Sequence, residues 1–323
     1  MRSARGARRV VSAVLFILVA VYVFRNLWMK RPWDSLLSLA GASDKSNEAA
    51  AASFTRKERH PHHYVFIGGA HFSATTLLQD FLRGENDFSV FTDTRAKQDE
   101  GQHLQSVYPA ANVSGGVCGF GLVSKNHLTE ESVYLKRGDE IMRSWKRYWN
   151  MSKTFLVEKS PPHIMQTRFL QRLVHPEPAS FIILMRHPLD VLSKHCRRTK
   201  RHRKFEFSVA LRYIDNWLAM YETFFDQDAA QIHRYKVLRF EEWTASKKTA
   251  QAAIRNIVDW LGAASISGTT NRAPELKSSS TSKVGNVYAP QETRTRDSLE
   301  WTSEEVKRGY DARLKRFGYS LTS

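Results

Sequence analysis

"YVFIGGAHFSATTLLQDFL", residues 64–82, decides the fold. Tyr64 to Ile67 form an apolar run that reads as a strand, and the next two residues, Gly68 and Gly69, permit a sharp turn. From Thr75 to Leu82 the apolar residues Leu77, Leu78, Phe81 and Leu82 recur at helical spacing. A strand, a glycine turn and a helix start aim several backbone N–H groups at one point, and such a point holds an anion. Ser73, Thr75 and Thr76 add hydroxyl donors. The stretch has no Lys or Arg, so it is not a nucleotide-hydrolysing G-x-x-x-x-G-K-[ST] loop, whose lysine reaches the β and γ phosphates. Taken alone, the segment also reads as a glycine turn with a Ser/Thr cap.

Outward from this unit the chain alternates short apolar runs with helical patterns. Further strands are expected at Phe88–Phe91, Thr154–Val157, Phe181–Met185 and Tyr235–Phe240. The run Phe181-Ile182-Ile183-Leu184-Met185 has the unbroken apolar character of a strand covered on both faces, as in a parallel sheet. Helices are expected at Gln166–Leu173, Phe207–Phe225 and Thr249–Leu261. That alternation predicts a three-layer α/β/α domain with a central parallel sheet and a ligand at the carboxyl ends of its strands.

A second stretch, "FIILMRHPLDVLSKH", ends its strand on Arg186, turns through Pro188 and sets Ser193 on the first turns of the next helix. Arg and Ser so placed grip one phosphate together, the Arg in a two-pronged contact. A structural ion pair is the plainer role for the Arg.

The pair G-x-x-x-S-x-T-T after the first strand and R-x-P-x-x-x-x-S after a later one resembles the 5′-phosphosulfate loop and the 3′-phosphate motif of the sulfotransferases. "LVEKSPP" (156–162) resembles the E-K-S-P stretch of Golgi carbohydrate and protein-tyrosine sulfotransferases, "VLRFEEW" (237–243) their late strand, and "RLKRFGYSL" a frequent family ending. The resemblance runs in consistent order over about residues 63–321. It implies a P-loop NTPase-like fold and transfer of a sulfuryl group from 3′-phosphoadenosine 5′-phosphosulfate (PAPS), without a metal, to a hydroxyl or amine of a glycan or protein. The donor would be held by Gly69, His71, Ser73, Ala74, Thr75, Thr76, Arg186 and Ser193. Lys283, in the loop "SSSTSKVGN" (278–286), would be a further contact; the same loop also reads as ordinary surface.

"DEGQHLQSVYP" (99–109) resembles the segment that carries the acidic catalytic residue, with Glu100 at the position of the general base. His103 is a second candidate, since imidazole titrates near the working pH. Two departures stand out: relatives read R/K-[ST]-G-T-T, whereas this chain has Phe72 for the cation and Ala74 for the glycine. If residue 74 has φ > 0, alanine is strained there by about 1 kcal/mol; if it is helical, alanine costs nothing. Lys159 of the E-K-S stretch is the expected substitute cation, and its plainer role is a buried ion pair. The departures also leave open a sulfotransferase-like protein that binds nucleotide or anionic glycan without turnover.

The N-terminus addresses location. Arg2, Arg5, Arg8 and Arg9 precede an apolar run from Val10 to Phe24, extended past Arg25 by Leu27, Trp28 and Met29. This predicts a cytosolic tail (1–9), a membrane signal anchor (10–29), a stem (30–62) and a lumenal domain (63–323), the type II arrangement of a Golgi membrane protein. The competing reading is a cleaved signal peptide with Ala40-Gly41-Ala42 as its site, which lies far beyond the apolar run. The sequons at Asn112 and Asn150 fit a lumenal domain. Cys118 and Cys196 are too few for a disulfide framework and enough for one bridge.

The net charge of +17 points to anionic partners. The basic runs carry no interleaved aromatics or zinc-finger spacing, which argues against nucleic acid. Asp226-Gln227-Asp228 has the D-x-D form of a metal-dependent glycosyltransferase, but it follows a helical pattern and reads better as an acidic helix end. Trp217 is either an adenine contact or, at helical spacing with Ile214, Met220 and Tyr221, core.

Overall fold

In the computed structural model, residues 62–192, 207–263 and 304–321 are described. The tail, the anchor, the stem to residue 61, Ser193, Cys196, Lys283 and the 278–286 loop lie outside the described residues. Among the described residues, no helix is long and apolar enough to cross a membrane.

Five strands form one sheet: β1 (His63–Gly69), β2 (Phe88–Val90), β3 (Phe155–Lys159), β4 (Ala179–Met185) and β5 (Tyr235–Arg239). Their spatial order is β2-β3-β1-β4-β5 and every pairing is parallel. The register sets Ile67 of β1 opposite Lys159 and Ile182, and Gly69 opposite Leu184. All strands therefore end at the same edge of the sheet, and the residues that follow them converge there.

Parallel strands need crossovers, and these run through the helices α1 (Thr75–Leu82), α2 (Gly138–Lys146), α3 (Thr167–Val174) and α4 (Phe207–Thr223); α5 (Lys247–Leu261) follows the last strand and α6 (Glu304–Lys315) lies near the C-terminus. They cover both faces of the sheet. Val65, Ile67, Val157, Ile182 and Leu184 pack against Leu78 and Phe81 of α1 and Ile254 and Ile257 of α5. Phe66, Leu156, Phe181 and Ile183 meet Trp145 of α2, Phe169 of α3 and Trp217 and Tyr221 of α4. Alternate residues of each central strand thus enter opposite cores, which is why Tyr64–Ile67 of β1 and Phe181–Met185 of β4 are apolar runs.

Several boundaries differ from the expected ones for local reasons. Helix α5 begins two residues before Thr249, because Ser246 caps it: the Ser246 Oγ accepts from the Thr249 N–H (3.1 Å) and the Thr249 Oγ1 from the Ser246 N–H (2.8 Å). Strand β5 stops at Arg239, and Phe240 opens a helical turn, Phe240–Trp243. Helix α4 stops at Thr223 and passes into a π-turn, Phe224–Asp228. Between β2 and α2 the chain runs through a series of short 3-10 turns, and these carry Glu100 and His103.

Candidate functional site

The loop after β1 is held from beneath. The Ala70 N–H donates to the Tyr221 hydroxyl (3.1 Å), which donates to the Leu184 carbonyl (2.5 Å), so α4 ties the loop to the neighbouring strand. Gly69 sits at φ 148°, and a Cβ there would lie 2.3 Å from the Leu184 oxygen; only glycine fits. Ser73 is fully buried under the loop beside the Tyr221 hydroxyl.

Phe72 (φ 66°) and Ala74 (φ 72°) are both left-handed. Residues alternating in and out of this region turn successive N–H groups toward one side, forming an anion-binding concavity. Ala74, the N-cap of α1, offers no side-chain cap, and the Ala74 carbonyl accepts the backbone bond from Leu78 (3.1 Å). The amides of residues 75–77 are the first-turn donors that a helix leaves for an external acceptor. Ala74 is therefore the strained case of the two the sequence allowed.

Arg186 follows β4. Its guanidinium is almost fully buried, stacks 3.9 Å from the centre of the Phe240 ring, and donates to the Phe72 carbonyl (3.2 Å). Its backbone carbonyl accepts from the Trp217 indole (3.0 Å). Trp217 has no exposed surface, so it is core and steadies the Arg186 backbone instead of meeting a ligand. Only residues 188–192 of the following helix are described, which leaves Ser193 beyond them.

Glu100 lines the same cleft as the loop and Arg186. Its Oε1 accepts from the Lys159 ammonium (2.9 Å) and its Oε2 from the Gln102 amide (2.6 Å). Lys159 is completely buried and donates also to the Gln98 carbonyl (3.1 Å), so it occupies the buried ion-pair role. The His103 Nε2 lies 3.7 Å from the Glu100 Oε2. Burial holds the His103 imidazole below its usual value against the raising pull of Glu100, with Lys97 and Lys159 acting in the same direction as burial. His103 is mostly neutral at pH 7.

The cleft has a volume of about 480 Å³. Of the residues expected at the site, His71, Ala74, Thr75, Thr76, Glu100, His103 and Arg186 line it. Gly69, Ser73 and Lys159 lie behind that wall. Lys97, Phe72 and Phe240 line it as well. Lys97 and Phe240 gave no signal in the sequence, since an exposed Lys in an irregular segment and a Phe at a strand end look ordinary. Tyr221 was legible only as core.

Asn112 is exposed and reaches the cleft wall, while the hydroxyl of its sequon partner Ser114 is buried and donates to Asn126 (2.5 Å). Asn150 is exposed and accepts from the Ser152 hydroxyl (2.7 Å). Cys118 is half-buried.

The D-x-D triplet is committed elsewhere. Asp226 pairs with Arg316, and the fully buried Asp228 accepts from His127 (2.8 Å) and Thr167 (3.1 Å). Among the described residues there is no cluster of His, Cys, Asp and Glu with metal-binding geometry.

Comparison with curated proteins finds no match. Among solved structures, the sulfotransferase domain of the Synechococcus PCC 7002 olefin synthase is similar at 14% identity, over 82% of this chain and 97% of that one, with a TM-score of 0.46. A sulfotransferase from Alicyclobacillus acidocaldarius is similar at 18% identity, over 78% and 92%, also with a TM-score of 0.46. The sulfotransferase STF9 from Mycobacterium avium is similar at 10% identity, over 86% and 79%, with a TM-score of 0.44. Residues 64–266, well over half of the chain, match the model of the Sulfotransferase family, and the chain belongs to that family.

Proposed function

We propose that the protein transfers the sulfuryl group of PAPS to a hydroxyl or amine of a glycan or protein acceptor. The observation that carries this reading is convergence: the left-handed loop with the α1 N-terminus after β1, the Arg186 guanidinium after β4 and the Glu100 carboxylate from the 3-10 turns beyond β2 line one cleft. The chemistry of that donor set suits the cosubstrate. Backbone amides and Thr75 and Thr76 hydroxyls match a phosphosulfate, and a buried, stacked guanidinium matches a second phosphate.

When bound, PAPS supplies an activated sulfuryl group and a phosphate leaving group. The chain's own residues do the rest. The loop amides neutralise charge on the 5′ side, and Arg186 fixes the 3′-phosphate, with Ser193 and Lys283 as further contacts. Glu100 receives the acceptor proton during in-line attack. Lys159, held against Glu100 at 2.9 Å, would offset from behind the cleft wall the negative charge that develops on the leaving oxygen. His103, neutral and beside Glu100, is the alternative proton acceptor.

The +17 charge favours an anionic acceptor. The apolar run at 10–29 and the sequons at Asn112 and Asn150 support a type II Golgi membrane protein with a lumenal catalytic domain. A second reading, binding without turnover, draws on two observations: Phe72 stands where relatives carry a cation, and Lys159 is already paired with Glu100.

The test is transfer of ³⁵S from labelled PAPS to a panel of glycans and proteins with a metal chelator present. Transfer that survives chelation and falls by about 10²–10⁴ in Glu100→Gln supports the reading, since general-base catalysis contributes on that order. Donor binding without transfer to any acceptor favours the second reading.

A further inference from the structure

Three consecutive residues at the end of β3 hold three consecutive residues of the segment that carries Glu100. The Glu158 Oε1 accepts from the Gly101 N–H (2.5 Å), the Lys159 ammonium donates to the Glu100 carboxylate (2.9 Å), and the Ser160 Oγ accepts from the Gln102 N–H (3.2 Å). The Ser160 hydroxyl donates in turn to the Glu158 Oε1 (2.8 Å). From the other side, the Trp145 indole donates to the Gly101 carbonyl (3.0 Å). Both backbone polar groups of Gly101 are thereby fixed.

The fit depends on residue 101 being glycine. A Cβ there would stand 2.5 Å from the Glu158 Oε1 and 2.8 Å from the Trp145 Nε1. Glu158, Ser160 and Trp145 have no exposed surface, so these bonds form away from competing water.

Side-chain bonds pin the flanks of the segment as well, with Asp99 accepting from Thr94 and the Gln102 Oε1 from the Ala111 N–H, but the β3 end and Trp145 grip the backbone of Gly101 directly beside Glu100. Residues 97–103 lie in two short 3-10 turns joined at Glu100, with Gln98 and Asp99 at positive φ, and belong to no strand or long helix. Such a stretch takes its position from the groups that grip it. A displacement of about 1 Å at a reacting group costs up to about 10²-fold in rate.

We infer that Glu158, Ser160 and Trp145 are positioning residues that aim the Glu100 carboxylate into the cleft through the backbone of Gly101 and Gln102. The inference rests on the reading of Glu100 as the base. It gives the E-K-S stretch and the E-G-Q stretch one joint purpose. Lys159 meets the carboxylate itself, and its two neighbours meet the backbone beside it.

The test uses the full chain and three readouts: calorimetric affinity for adenosine 3′,5′-bisphosphate, kcat and KM for PAPS with acceptor or water, and a double-mutant cycle with Glu100→Gln. Ser160→Ala should keep bisphosphate affinity and the KM for PAPS, and lower kcat about 10–100-fold. In the Glu100→Gln background the same change should alter the residual rate by less than about twofold, because there is no longer a base to aim. Trp145→Phe, which removes one N–H donor and keeps a large aromatic ring, should behave in the same way and stands in if Ser160→Ala does not fold.

An undiminished kcat in folded variants overturns the inference. So does an equal loss in both backgrounds, which marks a merely structural role. A wild type that binds no bisphosphate overturns the reading of the cleft and the positioning role with it, whereas a wild type that binds while the variants fail these criteria overturns the positioning role alone.

Discussion

Ala74 shows how much one side chain decides. At φ 72° the Cβ crowds the following carbonyl, a cost of about 1 kcal/mol that glycine does not carry. Ala74→Gly should therefore stabilise the protein by about 0.5–1 kcal/mol, partly offset by the greater freedom of glycine in the unfolded chain. Urea denaturation checks this, and a lower midpoint in the glycine variant would show that the loop is not left-handed at residue 74. The sequence posed this question and could not answer it, because an alanine carries no mark of its own φ. Arg186 was legible, being a charged residue at the end of an apolar strand. Phe240 beneath it was not, because nothing local distinguishes a ring that stacks on a guanidinium from one that fills a core. The ion pair of Lys159 with Glu100 joins residues 59 apart, and the pairing of β3 with β1 and β2 brings that strand end to the site.

Among the elements, β1 and β4 were legible because they bury both faces and so carry the unbroken apolar runs Tyr64–Ile67 and Phe181–Met185. The turns between β2 and α2 were not, having no period to read. Strands β1 and β3 also bury groups that make stability depend on pH. Burial, helped by the charge of Arg234, lowers His63 to about 3, so the folded protein binds fewer protons than the unfolded chain between about 3 and 6.5. That stability is complete above pH 6.5 and lost as pH falls. Burial likewise lowers His163 to about 3, and the charge of Lys159 adds to it.

Glu158, whose Oε2 lies 2.8 Å from the His163 Nδ1, is pushed up by burial to about 8. Its contribution is complete below about 4.5 and lost as pH rises through 8. Above 6.5 only Glu158 acts. The two histidines therefore withdraw stability as pH falls below 6.5, and Glu158 withdraws it as pH rises through about 8. Denaturation at several pH values tests this. Glu158→Gln should remove the decline between 6.5 and 8, and an unchanged decline would mean that Glu158 is ionised in the folded protein.

For the whole molecule, the topology explains why a cleft forms where it does. Five parallel strands end at one edge, where the loop after β1 and Arg186 after β4 line one cleft and Lys159 at the end of β3 backs its wall. The C-terminal segment completes the support: His187, next to Arg186, donates its backbone N–H to Glu241 (2.8 Å), which also accepts from the Tyr319 hydroxyl (3.0 Å). The order of the motifs along the chain was enough to anticipate the parallel α/β sheet, because that order matches one strand-to-helix alternation. The identity of the acceptor was not, since net charge has no address on the surface. The central claim is that the loop after β1 and Arg186 together hold the PAPS nucleotide. The most direct measurement is calorimetric titration of adenosine 3′,5′-bisphosphate into the full chain in mild detergent, with metal chelated, for wild type and Arg186→Ala. Binding in the wild type that weakens by at least about 10²-fold in the variant, as expected when a buried charged partner of a phosphate is removed, is the predicted result. No binding to folded wild type, or equal binding to both, would contradict the account.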